Sequence, residues 1–82
     1  MSYEKKTDSS NQQYIEVPFK GSTGSVRVTY IPNAWPEDNL SGVRIQIREA
    51  SGHLKPGPEI PRNVFGEFIA ALMELVYWRD RE

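Results

Sequence analysis

The chain has 82 residues and a formal net charge of −1 at pH 7, with no cysteine and one histidine. A chain of this length forms one small domain, and the missing cysteines exclude disulfides and thiolate metal sites, so no metal or other cofactor is predicted. Small cores of this kind are usually reinforced by association, and we therefore expect an oligomer.

The hydropathy pattern predicts a protein without a membrane partner. No apolar run approaches the roughly 20 residues that span a bilayer, and the N-terminus lacks the apolar segment of a signal peptide. We expect an intracellular protein, cytoplasmic or nucleoid-associated. Because the net charge is close to zero, a basic site has to arise from cations gathered on one face.

The N-terminal part predicts a polar tail followed by a β-hairpin. Residues 1–13 hold one aromatic and no aliphatic core former, which predicts a disordered polar tail. Residues 14–20 and 25–31 each alternate, and the Gly-Ser-Thr-Gly turn between them joins two strands into a hairpin. Pro18 cannot donate to a ladder, so the first strand is expected at an edge or a bulge. Tyr30 is in phase with the apolar positions and is expected in the core.

The third strand is the clearest of the predicted elements. From residue 43 to residue 48 the odd positions are apolar and the even positions are Arg44, Gln46 and Arg48, so one face can bury and the other displays polar groups. Before this strand, residues 32–42 predict a loop that carries Trp35. After it, residues 53–60 predict a fourth strand, interrupted by Pro-Gly-Pro.

A C-terminal amphipathic helix follows. From Pro61 or Arg62 the apolar period changes to about three and a half, and the helix is expected to end near residue 78 or 79. One apolar stripe, expected to cover the sheet, comprises Phe65, Ile69, Leu72 and Val76. A second stripe is left over and predicts a homodimer interface made by Val64, Phe68, Ala71, Leu75 and Trp78. The alternative is that the loop carrying Trp35 folds over the second stripe. Residues 14–82 thus predict a single α+β domain of order β-β-β-β-α.

Catalytic chemistry has little support. Ser51 and His53 are neighbours in a turn and lack the third group that would orient a nucleophile and its base. The glycine-containing turn at residues 21–24 lacks the lysine and the following helix of a phosphate-binding loop. We therefore expect a protein that is not an enzyme.

The polar side of the predicted sheet is the candidate site. Strand alternation collects there Tyr14, Lys20, Arg27, Thr29, Arg44, Gln46 and Arg48, with Lys55 as a further candidate and Glu16 as the acid. A cationic sheet surface with an aromatic nearby suits single-stranded nucleic acid, because cations contact phosphates and rings stack on bases. The alternative is that these are ordinary solvent-facing residues of a half-buried sheet. Trp35 either stacks on a base or attaches its loop to the core.

The most specific pattern is Ile47-Arg48-Glu49 at the end of the third strand, followed by a turn and Lys55-Pro56-Gly57 before the helix. This pattern resembles the positive cofactor four family, the transcriptional coactivator p15-like single-stranded DNA-binding domains, over about residues 14–78. The resemblance implies a four-stranded antiparallel sheet followed by a helix, dimerisation through the helices, and single-stranded DNA bound across the curved sheets. It also implies that Arg48 contacts DNA, and it places Lys55 on the lysine of the family's Lys-Pro-Gly segment.

Some positions depart from the family pattern. Eukaryotic members have an aromatic and two lysines where this chain has Asn-Leu-Ser-Gly at residues 39–42, and they have aromatics where it has Ala50 and Ser51. Base stacking is therefore expected from Trp35 or Tyr14.

The predicted function is binding of single-stranded DNA, or RNA, by a homodimer. Binding is expected to be largely independent of sequence, and the protein is expected to act in transcription or replication. The residues expected to contact nucleic acid are Lys20, Arg27, Arg44, Gln46, Arg48, Lys55, Trp35 and Tyr14. The alternative is a protein-interaction or regulatory module with the same fold and no nucleic-acid binding.

Overall fold

The chain folds, in a computed structural model, into an antiparallel sheet followed by a C-terminal helix. The structure describes residues 3–80. The strands are β1 (Lys6–Thr7), β2 (Gln13–Pro18), β3 (Ser25–Trp35), β4 (Leu40–Arg48), β5 (Leu54–Lys55) and β6 (Glu59–Pro61). The helix α1 spans Phe65–Asp80 and follows a 3-10 turn at Arg62–Val64.

The described residues contain one sheet of six strands, where four were predicted. Their order is β1-β2-β3-β4-β5, and β6 also pairs with β4. The predicted fourth strand is divided into β5 and β6, because Pro56 and Pro58 have no N–H to donate to the ladder. The antiparallel sheet followed by a helix confirms the predicted α+β architecture.

A hairpin begins at residue 6, within the stretch 1–13 that was predicted to be a disordered tail and of which residues 1 and 2 lie outside the described residues. Its strand β1 pairs with the start of β2. Asp8 organises the turn between them, since its Oδ1 accepts hydrogen bonds at 2.9 Å from the N–H groups of Ser10 and Gln12. An aspartate that bonds the backbone two residues later forms a turn without any apolar core residue, so composition did not reveal this hairpin.

Strand β3 is longer than predicted and includes Trp35, which was expected in a loop. The register of β3 and β4 is broken between Ile31 and Trp35. Pro32 falls in this irregular stretch, where its missing N–H removes no ladder bond. Pairing resumes between Trp35 and Leu40, so the connection shrinks to a 3-10 turn at Pro36–Asp38 and one further residue.

Gly57 lets the Pro-Gly-Pro segment lie directly against β4. A Cβ atom at this position would overlap the carbonyl oxygen of Ile45. The N–H of Ile45 donates to the Pro58 carbonyl oxygen at 2.9 Å. This hydrogen bond continues the pairing of β4 between the residues that pair with β5 and those that pair with β6.

We expect Gly57→Ala to lower the free energy of unfolding by about 2–3 kcal/mol, because the added methyl group forces the segment away from β4. Urea unfolding followed by circular dichroism measures this loss. Gly66→Ala is the matched control, since a Cβ there meets nothing within 4 Å and alanine favours helix. Equal losses in the two variants would contradict the explanation.

Helix α1 leaves most of its apolar surface exposed. Its start and the sheet enclose an apolar hollow of about 240 Å³, lined in part by Ile45, Ile60 and Phe65. Further along, Leu72 and Val76 of the stripe predicted to cover the sheet are 47% and 51% exposed. That part of the prediction is wrong, because α1 has no extensive contact with the sheet beyond its first turns. No helix within residues 3–80 combines the length and apolarity required to cross a membrane.

The apolar side of the sheet is also open. Among the described residues no hydrophobic side chain is buried, and Tyr30, expected in the core, is exposed. The segment carrying Trp35 does not fold over the second helical stripe. The Trp35 ring lies against Gly42 instead, and Leu75 and Trp78 are 58% and 53% exposed.

Candidate nucleic-acid interface

The sheet register gathers the predicted polar residues on one surface, called the polar face. Residues that pair across an antiparallel ladder point to the same side. One row is Tyr14, Thr29, Arg44 and Glu59; the next is Glu16, Arg27 and Gln46; the third is Pro18, Ser25, Arg48 and Leu54. The opposite surface, the apolar face, carries Ile15, Val17, Val26, Val28, Tyr30, Val43, Ile45 and Ile47.

Every arginine of the polar face is paired with a carboxylate. The nitrogen–oxygen distances are 2.7–2.8 Å for Arg27 with Asp8, Arg44 with Glu59 and Arg48 with Glu16. Three cations and three carboxylates cancel, so these pairs leave the centre of the face close to neutral at pH 7. Glu16 was expected on this surface, whereas Asp8 and Glu59 were not.

The Arg27 side chain is mostly buried by its contacts on the sheet surface. Its side chain is 11% exposed, and its Nε donates to Thr29 Oγ1 at 3.2 Å. The guanidinium carbon lies 3.7 Å from the centroid of the Tyr14 ring, a cation–π contact. Thr29 is 1% exposed. Arg27 therefore has little surface left for the phosphate contact that was predicted for it.

We expect Asp8→Ala to lower the free energy of unfolding by about 2–3 kcal/mol. The variant removes two turn hydrogen bonds and leaves the Arg27 guanidinium, which is mostly buried, without its carboxylate. Urea unfolding measures the loss. Glu4→Ala is the control, because the ion pair of Glu4 with Lys6 is exposed and is expected to contribute under about 1 kcal/mol. A loss no larger than the control's would contradict a structural role for Asp8.

Arg44 and Arg48 are the more accessible of the three arginines on the polar face, with side chains 34% and 33% exposed. Arg44 donates from Nε and Nη2 to Glu59. Arg48 donates from Nε to Glu16 and from Nη1 to the carbonyl oxygen of Gly52. A guanidinium has five N–H donors, so both retain donors that no group within residues 3–80 uses. They are four positions apart along β4, which corresponds to about 13 Å.

Lys55 lies on the other side of the sheet from these arginines. The register pairs it with Ile47, and its Nζ is 3.8 Å from Glu49 Oε2. Its proposed place on the polar face is wrong, because the tight turn before β5 sets the register and a shift of one residue changes the face. Lys20 is exposed in the turn between β2 and β3 and forms no ion pair within the described part of the chain.

Both predicted aromatics lie at the polar face. Tyr14 covers Arg27. A Cβ atom on Gly42 would lie 2.8 Å from Cζ3 of Trp35, and Gly42 shares its face with Arg44 by alternation. The half-buried indole thus caps the end of the polar face near Arg44, an arrangement that fits attachment of this segment to the sheet.

Sequence reasoning missed Asp8, Glu59 and Arg62. The first two lie 19 and 15 residues from their arginine partners, so only the sheet register brings them together. The Asp-Ser-Ser-Asn turn pattern beginning at Asp8 is the signal that could have located the first. Arg62 is exposed after β6 and, among residues 3–80, forms no ion pair.

No group of three or more histidine, aspartate or glutamate side chains in the described residues is placed to hold a metal ion.

Comparisons with family models, with curated proteins and with solved structures found no match to this chain. Its function therefore has to be inferred from its own residues and geometry.

Proposed function

We propose that this chain binds single-stranded nucleic acid, DNA or RNA, on the polar face of a homodimer and with little sequence dependence. The observation that carries the proposal is the pair of accessible guanidiniums, Arg44 and Arg48, on one strand with Gln46 between them. Tyr14 and Trp35 supply aromatic rings at the same surface. Cations for phosphates combined with polar and aromatic groups for bases are typical of single-strand binding.

Because carboxylates already contact Arg44 and Arg48, a phosphate can bind these arginines in two ways. A phosphate oxygen can use the remaining donors of Arg44 and Arg48, or it can replace Glu59 and Glu16. The four side chains of these ion pairs are 22–34% exposed, so separation of either pair costs about 1 kcal/mol. We expect moderate affinity that falls as the salt concentration rises.

Further cations stand at the two ends of the polar face. Lys20 belongs to the turn at the Arg48 end, where Ser25 pairs with Arg48. Arg62 follows Pro61, which pairs with Gly42 at the other end of β4. These exposed side chains can add phosphate contacts at either end of the neutral centre.

The dimer is proposed from the apolar surface that the single chain leaves in water. Exposed residues of α1 and of the preceding turn include the predicted interface, namely Val64, Phe68, Ala71, Leu75 and Trp78. Full burial of one large apolar side chain contributes about 1.5–3 kcal/mol. A second copy that covers α1 and the open apolar face would supply the core that the single chain lacks.

The second candidate function is a protein-interaction or regulatory module with the same fold and no nucleic-acid binding. The neutral centre of the polar face favours it, since Asp8, Glu16 and Glu59 already occupy the arginines. A neutral surface of donors and acceptors suits a polar protein partner better than a polyanion.

Fluorescence anisotropy with a labelled oligo-dT at low salt, followed by a salt titration, tests the first function. We expect saturable binding whose logarithm falls linearly with the logarithm of salt concentration. A matched oligo-U shows whether RNA is bound as well. The absence of binding to both at low salt would contradict the proposal and leave the interaction module as the better explanation.

A further inference from the structure

The N-terminal arm, residues 3–12, is attached to the polar face through Asp8. Only Asp8 and Gln12 of the arm are half-buried, and its other residues are exposed. The Asp8 Oδ2 accepts a hydrogen bond at 2.8 Å from Nη2 of Arg27, and the two side chains are 19% and 11% exposed. The arm therefore contacts the face chiefly through one carboxylate.

Few other interactions hold the arm in place. Strand β1 pairs with β2 at two positions, Lys6 with Tyr14 and Thr7 with Gln13. Residues 4–12 contain no hydrophobic side chain, so their release exposes little apolar surface. The hydrogen bonds that Asp8 Oδ1 accepts from the backbone lie within the arm and persist when it moves. Once the Asp8–Arg27 pair is broken, the arm can leave the polar face at low cost.

The arginine that Asp8 covers lies beside the two more accessible ones. Arg27 pairs across the ladder with Gln46, which lies between Arg44 and Arg48 on β4. A nucleic-acid strand that spans Arg44 and Arg48 passes within one strand spacing, about 5 Å, of the ladder position of Arg27. Guanidinium groups bind carboxylate and phosphate oxygens through the same charge-assisted hydrogen bonds. Asp8 thus occupies the donors that a phosphate would use.

Release of Asp8 also changes the charge of the polar face. The three arginines are balanced by three carboxylates, so without Asp8 the face gains one positive charge. This gain is the same whether Arg27 becomes free or shares Glu16, its partner across the β2–β3 ladder. Glu16 and Glu59 belong to strands that pair with β3 and β4, whereas Asp8 lies outside those ladders. The arm is therefore the acidic element that can move away without separating them.

We propose that the N-terminal arm is an autoinhibitory element, in which Asp8 takes the place of a phosphate on Arg27 until a single strand displaces it. This inference rests on the proposed function. In the closed state the arm limits affinity, and in the bound state Arg27 supplies one further phosphate contact. One such contact corresponds to about a tenfold change in affinity at low salt.

The first test compares Asp8→Asn with the unmodified chain in the oligo-dT salt titration. Asparagine keeps an oxygen for the turn hydrogen bonds, while the NH₂ that replaces Oδ2 cannot accept from Arg27. We expect about tenfold tighter binding at low salt and a slope of log affinity against log salt that is steeper by about 0.7. The double variant Asp8→Asn/Arg27→Gln should lose this gain. Circular dichroism verifies that each variant is folded.

Glu37→Gln is the matched control, because it removes the same charge from the exposed turn after β3. It should change oligo-dT affinity by less than about twofold.

A second measurement does not depend on folding of the Asp8 variant. The chain has no cysteine, so Ser9→Cys carries a single spin label at an exposed position of the arm. We expect the label to gain mobility as oligo-dT saturates the protein, and a label at Ser22→Cys, in the exposed turn between β2 and β3, to show no such gain.

Unchanged affinity in a folded Asp8→Asn, an equal gain in Glu37→Gln, or unchanged mobility of the Ser9 label at saturation would overturn the autoinhibitory arm and leave the proposed function standing. Absence of oligo-dT binding by the unmodified chain and by every variant would overturn both proposals.

Discussion

Leu75→Glu is expected to separate the dimer into monomers and to lower the folded fraction. Leu75 is 58% exposed in the single chain and lies on the stripe proposed as the interface. A carboxylate placed there has to be desolvated on association without a partner, which costs at least about 3 kcal/mol, or more than a hundredfold in dimer affinity. Because the single chain has no buried hydrophobic residue among those described, loss of the dimer and loss of stability are coupled.

Sedimentation velocity over a range of concentrations measures the dissociation, and circular dichroism at the same concentrations measures folding. Met73→Glu is the matched control, since it places the same carboxylate on a residue that is 46% exposed and lies, two positions before Leu75, on nearly the opposite side of α1. It should remain dimeric. A monomeric unmodified chain, or a dimer unaffected by Leu75→Glu, would contradict dimerisation through α1.

The double variant Arg44→Ala/Arg48→Ala is expected to weaken binding of oligo-dT about a hundredfold at low salt. Each guanidinium provides a charge-assisted hydrogen bond to a phosphate, and its loss also leaves Glu59 or Glu16 as an unpaired negative charge on the surface. Two lost phosphate contacts should reduce the slope of log affinity against log salt by about 1.4 for a single strand. The slope separates loss of phosphate contacts from general damage to the surface.

Lys55→Ala is the matched control for the double variant. It also removes a cation, but from the other side of the sheet, opposite Ile47, and should change oligo-dT affinity by less than about twofold. Thermal unfolding verifies that each variant is folded, which is needed because the ion pairs of Arg44 and Arg48 are only partly exposed. If Lys55→Ala weakens binding as strongly as the double variant, the polar face is not the binding surface.

The strand prediction for residues 43–48 succeeded because it depended on local geometry. Side chains of an extended chain alternate between two faces, and the sheet register confirms that Arg44, Gln46 and Arg48 share one face. The turn before β3 and the helix from residue 65 were likewise predictable from nearby residues alone. The resemblance to a single-stranded DNA-binding family remains a prediction.

The features that were not predicted depend on contacts between distant parts of the chain. Asp8 reaches Arg27 only because the N-terminal hairpin folds beside β2. Lys55 is on the unexpected face because the short turn before β5 sets the register that pairs Lys55 itself with Ile47. The continuation of β3 to Trp35 was not predicted because Pro32 was taken as the end of the strand. The proline lies where the β3–β4 register is interrupted, so the strand continues past it.

By itself the sequence determined an antiparallel sheet with one polar face and a C-terminal helix that is more apolar than one sheet face requires, because periodicity and composition are properties of neighbouring residues. Only the tertiary structure decided the chemistry of that face. The fold brings a carboxylate to each of the three arginines on that face, leaves the Arg27 side chain mostly buried and leaves the Gln46 amide unpartnered among the described residues. Charge at a surface depends on which distant side chains meet there, and that is a consequence of folding.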